Sequence, residues 1–169
     1  MADGGFPTAS TTEIHRPMNI LFVCSGNVSR SFLAHKLLEK EIETHSLYNL
    51  SVSSAGIWAY PGHPPDPKIV EHLLQKGIRV KRHEARQINQ EDVDWADYIL
   101  VMEKNHKKAL AEKWPEAKEK VELLGKFASG GLAEDEIIDP FGKSTYHYRL
   151  AEAQITVAIE NLIERLTSK

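Results

Sequence analysis

Short apolar runs alternate with helical patterns along most of this chain, and this alternation constrains its fold more than any other feature. The runs predicted to be strands are Met18 to Val23, Leu50 to Ser54, Ala96 to Met102 and Val121 to Leu124. Between and after them, leucine, isoleucine and alanine recur at three- and four-residue steps, which is the period of an amphipathic helix. Strands that alternate with helices form a parallel sheet covered on both faces. The sequence therefore predicts an α/β protein of this kind.

The helices differ in how clearly the sequence marks their ends. One helix is predicted to start after Ser31, one to end near Lys113, and a long one to close the chain. Another has Asp66 at its N-cap, Pro67 in its first turn and Gly77 at its end. The apolar face predicted for that helix consists of Ile69, Val70, Leu73 and Leu74.

Two stretches carry no regular pattern. Residues 1 to 17 are small and polar, and we predict a disordered tail there, followed by one domain over residues 18 to 169. Residues 125 to 143 are also predicted to be irregular.

Composition excludes several classes of function. The chain has 21 Lys and Arg against 24 Asp and Glu, a net charge of −3 and no long run of one sign, so neither nucleic acid nor a membrane surface is an expected partner. No apolar run approaches the roughly 20 residues of a membrane span. The eight histidines lack metal-binding spacing, so no metal site is expected. A single cysteine, without a secretory signal, fits the reducing cytoplasm.

The segment VCSGNVSRS, residues 23 to 31, carries the strongest indication of function. Cys24 closes the first predicted strand, and Arg30 follows six positions later. Backbone N–H groups and the helix dipole at such a strand-to-helix junction bind anions, phosphate above all. Gly26 is predicted to allow a tight turn, Arg30 to grip two phosphate oxygens, and Ser31 to donate a hydrogen bond to a Cys24 thiolate.

The cysteine alone would indicate little, because a lone cysteine at the end of a strand is most often a small buried hydrophobe. The arginine, the glycine and the strand-to-helix setting favour a phosphate-binding loop with a nucleophile at its base.

Asp139 is the predicted acid. It lies in the sequence DPFG, residues 139 to 142, and such a sequence is by itself common in turns. A phosphocysteine mechanism also needs a group that protonates the leaving oxygen and later deprotonates a water molecule. With Cys24 and Arg30 in the same chain, Asp139 becomes the candidate for that group.

These segments resemble the low-molecular-weight protein tyrosine phosphatases over about residues 18 to 168. The resemblance rests on five segments in the family's order, namely VCSGNVSRS, SSAG, HEARQI, ADYILVM and DPFG. It implies a four-stranded, parallel, twisted sheet whose phosphate-binding loop joins the first strand to the first helix. It also implies Cys24 as nucleophile, Arg30 as phosphate clamp and Asp139 as general acid and then base, with no cofactor.

The same resemblance implies further site residues. Hydrogen bonds that hold the loop in shape are expected from Asn27, Ser31, Ser54 and His83. Residues expected to contact phosphate or substrate within the loop are Ser25, Gly26, Asn27, Val28 and Ser29. The chain departs from the family at Ser29, where a second cysteine is usual, and at Phe32, where proline is usual.

The substrate is predicted from the walls of the pocket. Trp58, Tyr60 and Phe141 suit a flat phosphoryl-bearing group, although Trp58 fits a place in the core about equally well. Family members that resemble arginine phosphatases carry threonine at the position of Val28. Valine has the shape of threonine but lacks the hydroxyl that could form a hydrogen bond with a guanidinium or a water molecule, and this favours phosphotyrosine. AGIWAYP and DPFG look more like the arginine-phosphatase versions, so protein arginine phosphatase is the alternative.

Other functions on this scaffold are less well supported. An arsenate reductase of the thioredoxin-coupled type would need two further cysteines, and the chain has none. A non-catalytic phosphate-binding module would need neither a thiolate nor an acid. The expected partner is thus a phosphorylated protein or peptide, with phosphate as product.

Overall fold

One parallel sheet organises the computed structural model, which describes residues 17–129 and 135–168. Its strands are β1 (Met18–Cys24), β2 (Leu50–Gly56), β3 (Tyr98–Val101) and β4 (Val121–Leu123). All pairings are parallel, and the strand order is β2-β1-β3-β4. The predicted α/β class and four-stranded parallel sheet are confirmed.

Helices follow each strand in the described part of the chain. The α-helices are α1 (Arg30–Thr44), α2 (Pro67–Gln75), α3 (Gln90–Trp95), α4 (Lys104–Lys113), α5 (Gly125–Ala128) and α6 (Thr145–Thr167). A 3-10 helix spans Pro115–Lys120.

The central strand β1 is buried on both faces because its side chains alternate between two cores. Ile20 and Phe22 belong to the core that α1, α2, α5 and α6 cover. Leu21 and Val23 belong to the opposite core, which is covered by α3, α4 and the 3-10 helix. Helices therefore lie on both faces of the sheet, as predicted, and the end of β1 is held from both sides.

The sequence-based description of α2 is correct in its start and partly wrong in its packing. Asp66 caps the helix, since its side chain accepts a hydrogen bond from Lys68 N, and Pro67 occupies the first turn. Ile69 and Leu73 are buried, but Leu74 is 56% exposed. Successive residues of a helix are about 100° apart, so Leu74 turns away from the narrow stripe that Ile69 and Leu73 share.

Three short elements were not predicted. The predicted irregular stretch 125 to 143 is wrong at its start, where α5 forms, while α3 and the 3-10 helix were missed. These elements are only one or two turns long, and a capping box between Asn89 and Asp92 starts α3 instead of a long apolar period. Residues 1 to 16, 130 to 134 and 169 lie outside the described residues, so the tail at 1 to 17 stays a prediction.

The strand order determines where a ligand can bind. The chain passes from β1 to β2 on one side and then to β3 on the other side of β1. Such a change of direction opens a crevice at the carboxyl end of the strands. Cys24 is the last residue of β1 and lies at this crevice.

Over residues 17–129 and 135–168, no helix combines the length and apolar character needed to cross a membrane.

Candidate active site

The loop after β1 wraps around the sulfur of Cys24. Residues 25 to 29 curve between β1 and α1, and Cys24 itself is only 3% exposed. Its Sγ accepts a hydrogen bond from the backbone N–H of Asn27 at 3.3 Å and lies 3.0 Å from Ser31 Oγ. Because α1 begins at Arg30, the N–H groups of its first turn have no carbonyl partner within the helix. The loop and the helix end together form an anion-binding concavity around the sulfur.

Asn27 holds the shape of this loop. Its backbone adopts a left-handed conformation, with φ of 57°, and its side chain is fully buried. Asn27 Nδ2 donates to Ser31 Oγ at 2.9 Å and to Ser54 Oγ at 3.0 Å, while its Oδ1 accepts from Arg86 N at 3.2 Å. The Asn27 side chain thus points into the protein, and Asn27 is not among the residues that line the cavity, so its contact with phosphate or substrate stays a prediction.

Two glycines differ in what they contribute. A Cβ added to Gly26 would approach no atom closer than Val28 Cγ2 at 3.8 Å, so the turning role predicted for Gly26 belongs instead to Asn27. Gly56, at the end of β2, is required by close packing. A Cβ there would lie 2.7 Å from the backbone oxygen of Ser25.

His83 supports the loop from outside. Its Nε2 donates to the carbonyl oxygen of Asn27 at 2.8 Å, and its ring packs 4.4 Å from the ring of Phe32. Burial lowers the pKa of His83, so the ring is neutral at neutral pH. Phe32 is fully buried, and its ring supports that of His83.

A second histidine extends this network and was not identified from the sequence. His35 Nδ1 lies 2.8 Å from Ser54 Oγ, the hydroxyl that also accepts from Asn27. Burial, assisted by the charges of Lys36 and Arg86 and by His83, lowers the pKa of His35 to about 3. A neutral imidazole is therefore part of the support of the loop.

Arg30 extends from the first turn of α1 under the cavity and is 2% exposed. Its Nη1 donates to Ile137 O at 2.8 Å, and its Nη2 donates to Glu103 Oε2 at 2.7 Å. Nη2 also lies 3.7 Å from Asp139 Oδ2. These contacts fix the guanidinium beside the loop. Glu103 was not singled out from the sequence, although its place just after β3 puts it at the same edge of the sheet as Cys24.

Asp139 lies at the rim of the cavity with a side chain that is 47% exposed. Its Oδ1 accepts from Phe141 N at 3.2 Å, which is the turn that the sequence DPFG indicates. Its Oδ2 faces Arg30. The turn therefore places the carboxylate over the loop that holds Cys24.

A cavity of about 320 Å³ opens above Cys24. Residues of the loop and Arg30 form its floor, and Trp58, Tyr60, Phe141 and His63 form its walls. Trp58 is 54% exposed and therefore belongs to the wall and not to the core. His63 was missed by sequence reasoning, although it belongs to the same glycine- and proline-rich segment as Trp58 and Tyr60.

The hydroxyl of Ser29 is not available to a ligand in this arrangement, although the residue lines the cavity. Ser29 Oγ donates to Asp66 Oδ2 at 2.8 Å, and Tyr148 OH donates to the same oxygen at 2.6 Å. Burial and the hydrogen bond to Asp66 raise the pKa of Tyr148. This buried carboxylate joins the loop to α2 and α6.

His106, in α4, is the remaining buried polar residue beside the loop and was also missed. It is 1% exposed, and its Nε2 lies 2.8 Å from Ser25 Oγ. In the described ranges, no group of three or more His, Cys, Asp or Glu side chains could hold a metal ion.

A parallel sheet with an anion-binding loop at its switch point, closed around a cysteine and an arginine, defines the class of cysteine-dependent phosphatases. Comparison with known proteins gives the family. The sequence model of the low molecular weight phosphotyrosine protein phosphatase matches residues 19–169. The chain belongs to this family.

Relatives within the family carry two kinds of name. A protein-arginine-phosphatase of Geobacillus stearothermophilus is 37% identical over 90% of this chain and 99% of its own length. The low molecular weight protein-tyrosine-phosphatase Wzb of Escherichia coli K12 is 39% identical over 75% of this chain and 80% of its own. The solved structure of the YwlE arginine phosphatase from Geobacillus stearothermophilus superposes with a TM-score of 0.81 at 38% identity, covering 90% of this chain and 94% of that one.

Proposed function

We propose that this protein removes phosphate from phosphotyrosine on proteins through a phosphocysteine intermediate. One observation supports this most directly: Cys24, Arg30 and Asp139 line a single cavity, with Arg30 Nη2 3.7 Å from Asp139 Oδ2. A nucleophile, a phosphate clamp and a proton donor are thus within reach of one bound phosphoryl group. Family membership supports the same chemistry.

The first step is attack by the Cys24 thiolate on phosphorus. The N–H of Asn27 favours that thiolate with its hydrogen bond. Ser31 Oγ accepts from Asn27 Nδ2 at 2.9 Å, so its own hydrogen can be directed at Sγ, 3.0 Å away. As the S–P bond forms and the P–O bond breaks, Asp139 gives its proton to the leaving oxygen.

The second step returns the enzyme to its starting state. Asp139, now a carboxylate, takes a proton from a water molecule, which attacks phosphorus and breaks the S–P bond. Phosphate leaves, and Cys24 is again a thiolate. In both steps Arg30 binds two of the equatorial oxygens, where negative charge is spread in the transition state.

Phosphotyrosine is favoured by the walls of the cavity. Trp58, Tyr60 and Phe141 offer aromatic faces to a phenyl ring, and Val28 offers a methyl surface without a hydroxyl. Asp139 is the only carboxylate among the described residues that line the cavity, so a guanidinium group would find few acceptors. The substrate is then a phosphorylated protein or peptide, and phosphate is a product. Because the mechanism depends on a reduced thiol, it suits the cytoplasm.

Phosphoarginine is the second candidate, and one comparison favours it. The arginine phosphatase of Geobacillus stearothermophilus aligns over 90% of this chain, a larger share than the 75% of Wzb. Steady-state kinetics on one peptide carrying either phosphotyrosine or phosphoarginine separate the two candidates. We expect the higher kcat/KM for phosphotyrosine, and a strong preference for phosphoarginine would reverse the assignment. Phosphate binding without hydrolysis of either peptide would indicate a non-catalytic module.

The role of Asp139 is tested with leaving groups of different basicity. Asp139→Asn cannot donate the proton, so it should slow aryl phosphates with poor leaving groups by about 10²–10⁴-fold and those with good leaving groups far less. An equal loss across the series would mean that Asp139 only shapes the turn.

A further inference from the structure

Ser25 and His106 form a buried contact that the proposed mechanism does not use. Ser25 follows Cys24 directly and lines the cavity. Its Oγ lies 2.8 Å from Nε2 of His106, which belongs to α4 and is 81 positions away along the chain. The backbone of Ser25 is also fixed, because Trp58 N donates to Ser25 O at 2.9 Å.

The protonation of His106 follows from its other ring nitrogen. Nδ1 accepts a hydrogen bond from the backbone N–H of Glu103 at 3.2 Å, within the capping box that starts α4. A nitrogen that accepts this bond carries no hydrogen, so the imidazole is neutral with its hydrogen on Nε2. Burial and the nearby charge of Arg30 lower the pKa of His106 to about 4, which agrees with this form.

The tautomer of His106 sets the direction of the Ser25 hydroxyl. Nε2–H donates to Ser25 Oγ at 2.8 Å, a shorter distance than the 3.4 Å to Glu103 Oε2. Ser25 Oγ is therefore the acceptor in this contact, and its own hydrogen points away from the imidazole. Since Ser25 lines the cavity next to Cys24, that hydrogen is available to a ligand at the floor of the cavity.

We infer that Ser25 donates a hydrogen bond to a phosphoryl oxygen of the substrate, and that neutral His106 is the positioning residue that makes its hydroxyl a donor. The inference rests on the proposed function, because it assigns a side-chain contact to the phosphoryl group that Cys24 attacks. It adds a side-chain donor to the backbone N–H groups of the loop and to Arg30.

Binding of inorganic phosphate tests this inference without relying on catalysis. Dissociation constants are obtained from NMR titrations of the wild type and of Ser25→Ala, His106→Asn, His106→Gln and the double variant Ser25→Ala with His106→Asn. Asparagine can replace Nδ1 as acceptor for Glu103 N but cannot reach Ser25, whereas glutamine can place a donor near Nε2. Ser51→Ala, at an exposed position of β2, is the matched serine control.

Ser25→Ala and His106→Asn are each expected to raise the dissociation constant about tenfold, as for a lost hydrogen bond to a charged group. The double variant should lose little more than Ser25→Ala alone, because both changes remove the same bond. His106→Gln should recover most of the affinity, and Ser51→Ala should bind like the wild type. The kcat/KM for a phosphotyrosine peptide should follow the same order. Urea unfolding of each variant shows whether it is folded. If His106→Asn is not folded, the phosphate affinities of Ser25→Ala and His106→Gln still test the donor role of Ser25 and the positioning role of His106.

Each contrary result would overturn a different part of the inference or the proposed function. Unchanged phosphate affinity in Ser25→Ala would overturn the donor role of Ser25. A double variant whose loss equals the product of the two single losses would overturn the positioning role of His106. A wild type that binds phosphate but hydrolyses no phosphopeptide would refute the proposed function alone, and one that binds no phosphate would overturn both.

Discussion

Arg30 Nη2 lies 2.7 Å from Glu103 Oε2, so the guanidinium under the cavity is paired with a carboxylate from the loop after β3. Arg30 is 2% exposed and Glu103 33% exposed. A buried cation next to a partly solvated anion keeps its charge and its orientation before any ligand binds. The phosphate clamp therefore combines the start of α1, which follows β1, with the loop after the neighbouring strand β3.

Glu103→Gln should destabilise the free protein and increase its response to phosphate. Removal of the anion leaves the buried guanidinium less compensated, and because Glu103 is partly exposed we expect the free energy of unfolding to fall by about 1–2 kcal/mol. A bound phosphate would supply the missing negative charge, so the gain in stability on adding phosphate should exceed that of the wild type. Urea unfolding with and without phosphate measures both, and Glu119→Gln, at an exposed position, is the control. An equal phosphate response in the two proteins would show that Glu103 does not compensate Arg30.

Tyr148→Phe should destabilise the fold through Asp66. The carboxylate of Asp66 is 3% exposed and accepts from Tyr148 OH at 2.6 Å, from Ser29 Oγ at 2.8 Å and from Lys68 N at 3.0 Å. Loss of one donor to a buried carboxylate costs about 1–3 kcal/mol. The matched control is Tyr146→Phe, which removes a hydroxyl from a side chain that is 69% exposed in the same helix. If urea unfolding gives the same free energy for both variants, the contact with Asp66 contributes nothing.

Acid should destabilise this protein through its buried neutral histidines. The pKa of His35 is lowered by burial to about 3 from an ordinary 6.5. The carboxylate of Glu39 lies 3.4 Å from His35 Nε2 but is 43% exposed, and water screens it too well to offset the burial. Below the ordinary pKa the unfolded chain binds a proton that folded His35 does not, so stability is present above that pH and is lost as the pH falls toward the folded value.

The measurable consequence is a slope in stability that one substitution reduces. Between about pH 7 and about pH 5.5, His35 alone should remove about 1 kcal/mol from the free energy of unfolding. His106, whose pKa is lowered by burial to about 4, acts in the same direction. His35→Asn should flatten the profile over this range, whereas His45→Asn, at an exposed side chain, should leave it steep. Parallel profiles for the wild type and His35→Asn would contradict the neutral buried state.

Val28→Thr should shift specificity toward phosphoarginine. Val28 lines the cavity beside Gly26 and Ser29, and threonine has nearly the same shape with an added hydroxyl. One hydrogen bond to a guanidinium, or to the water that attacks, is worth about 0.5–1.5 kcal/mol, which corresponds to a several-fold change in the ratio of the two kcat/KM values. The same pair of peptides measures it. An unchanged ratio would mean that the side chain at position 28 does not contribute to the choice between the two substrates.

The sequence was sufficient to find the residues whose place depends on their neighbours along the chain. Cys24 and Arg30 lie between an apolar strand and an amphipathic helix, and the loop between them follows from that local pattern. The parallel sheet follows from the same alternation. Asp139 could be found because a turn sequence and a chemical requirement coincide there.

Residues that act across long separations in the chain were missed. Glu103 meets Arg30 over 73 positions, and His106 meets Ser25 over 81. No local period marks such partners, since only the strand order brings the ends of β1 and β3 together. The left-handed conformation of Asn27 was also not predicted, because the tight turn was assigned to Gly26, whereas the hydrogen bonds of Asn27 stabilise that conformation here.

Detection of the covalent intermediate on Cys24 is the most direct test of the phosphocysteine mechanism. The protein is mixed rapidly with an aryl phosphate, quenched in acid, digested and analysed by mass spectrometry. The aryl phosphate carries a good leaving group, so formation of the intermediate does not depend on Asp139. Asp139→Asn is run in parallel, because without its base the second step is slow and the intermediate accumulates. We predict a phosphoryl group on the peptide that contains Cys24, in a larger amount in Asp139→Asn than in the wild type, and no turnover in Cys24→Ser. Turnover that persists in Cys24→Ser, or a phosphoryl group trapped on a different residue, would show that Cys24 is not the nucleophile.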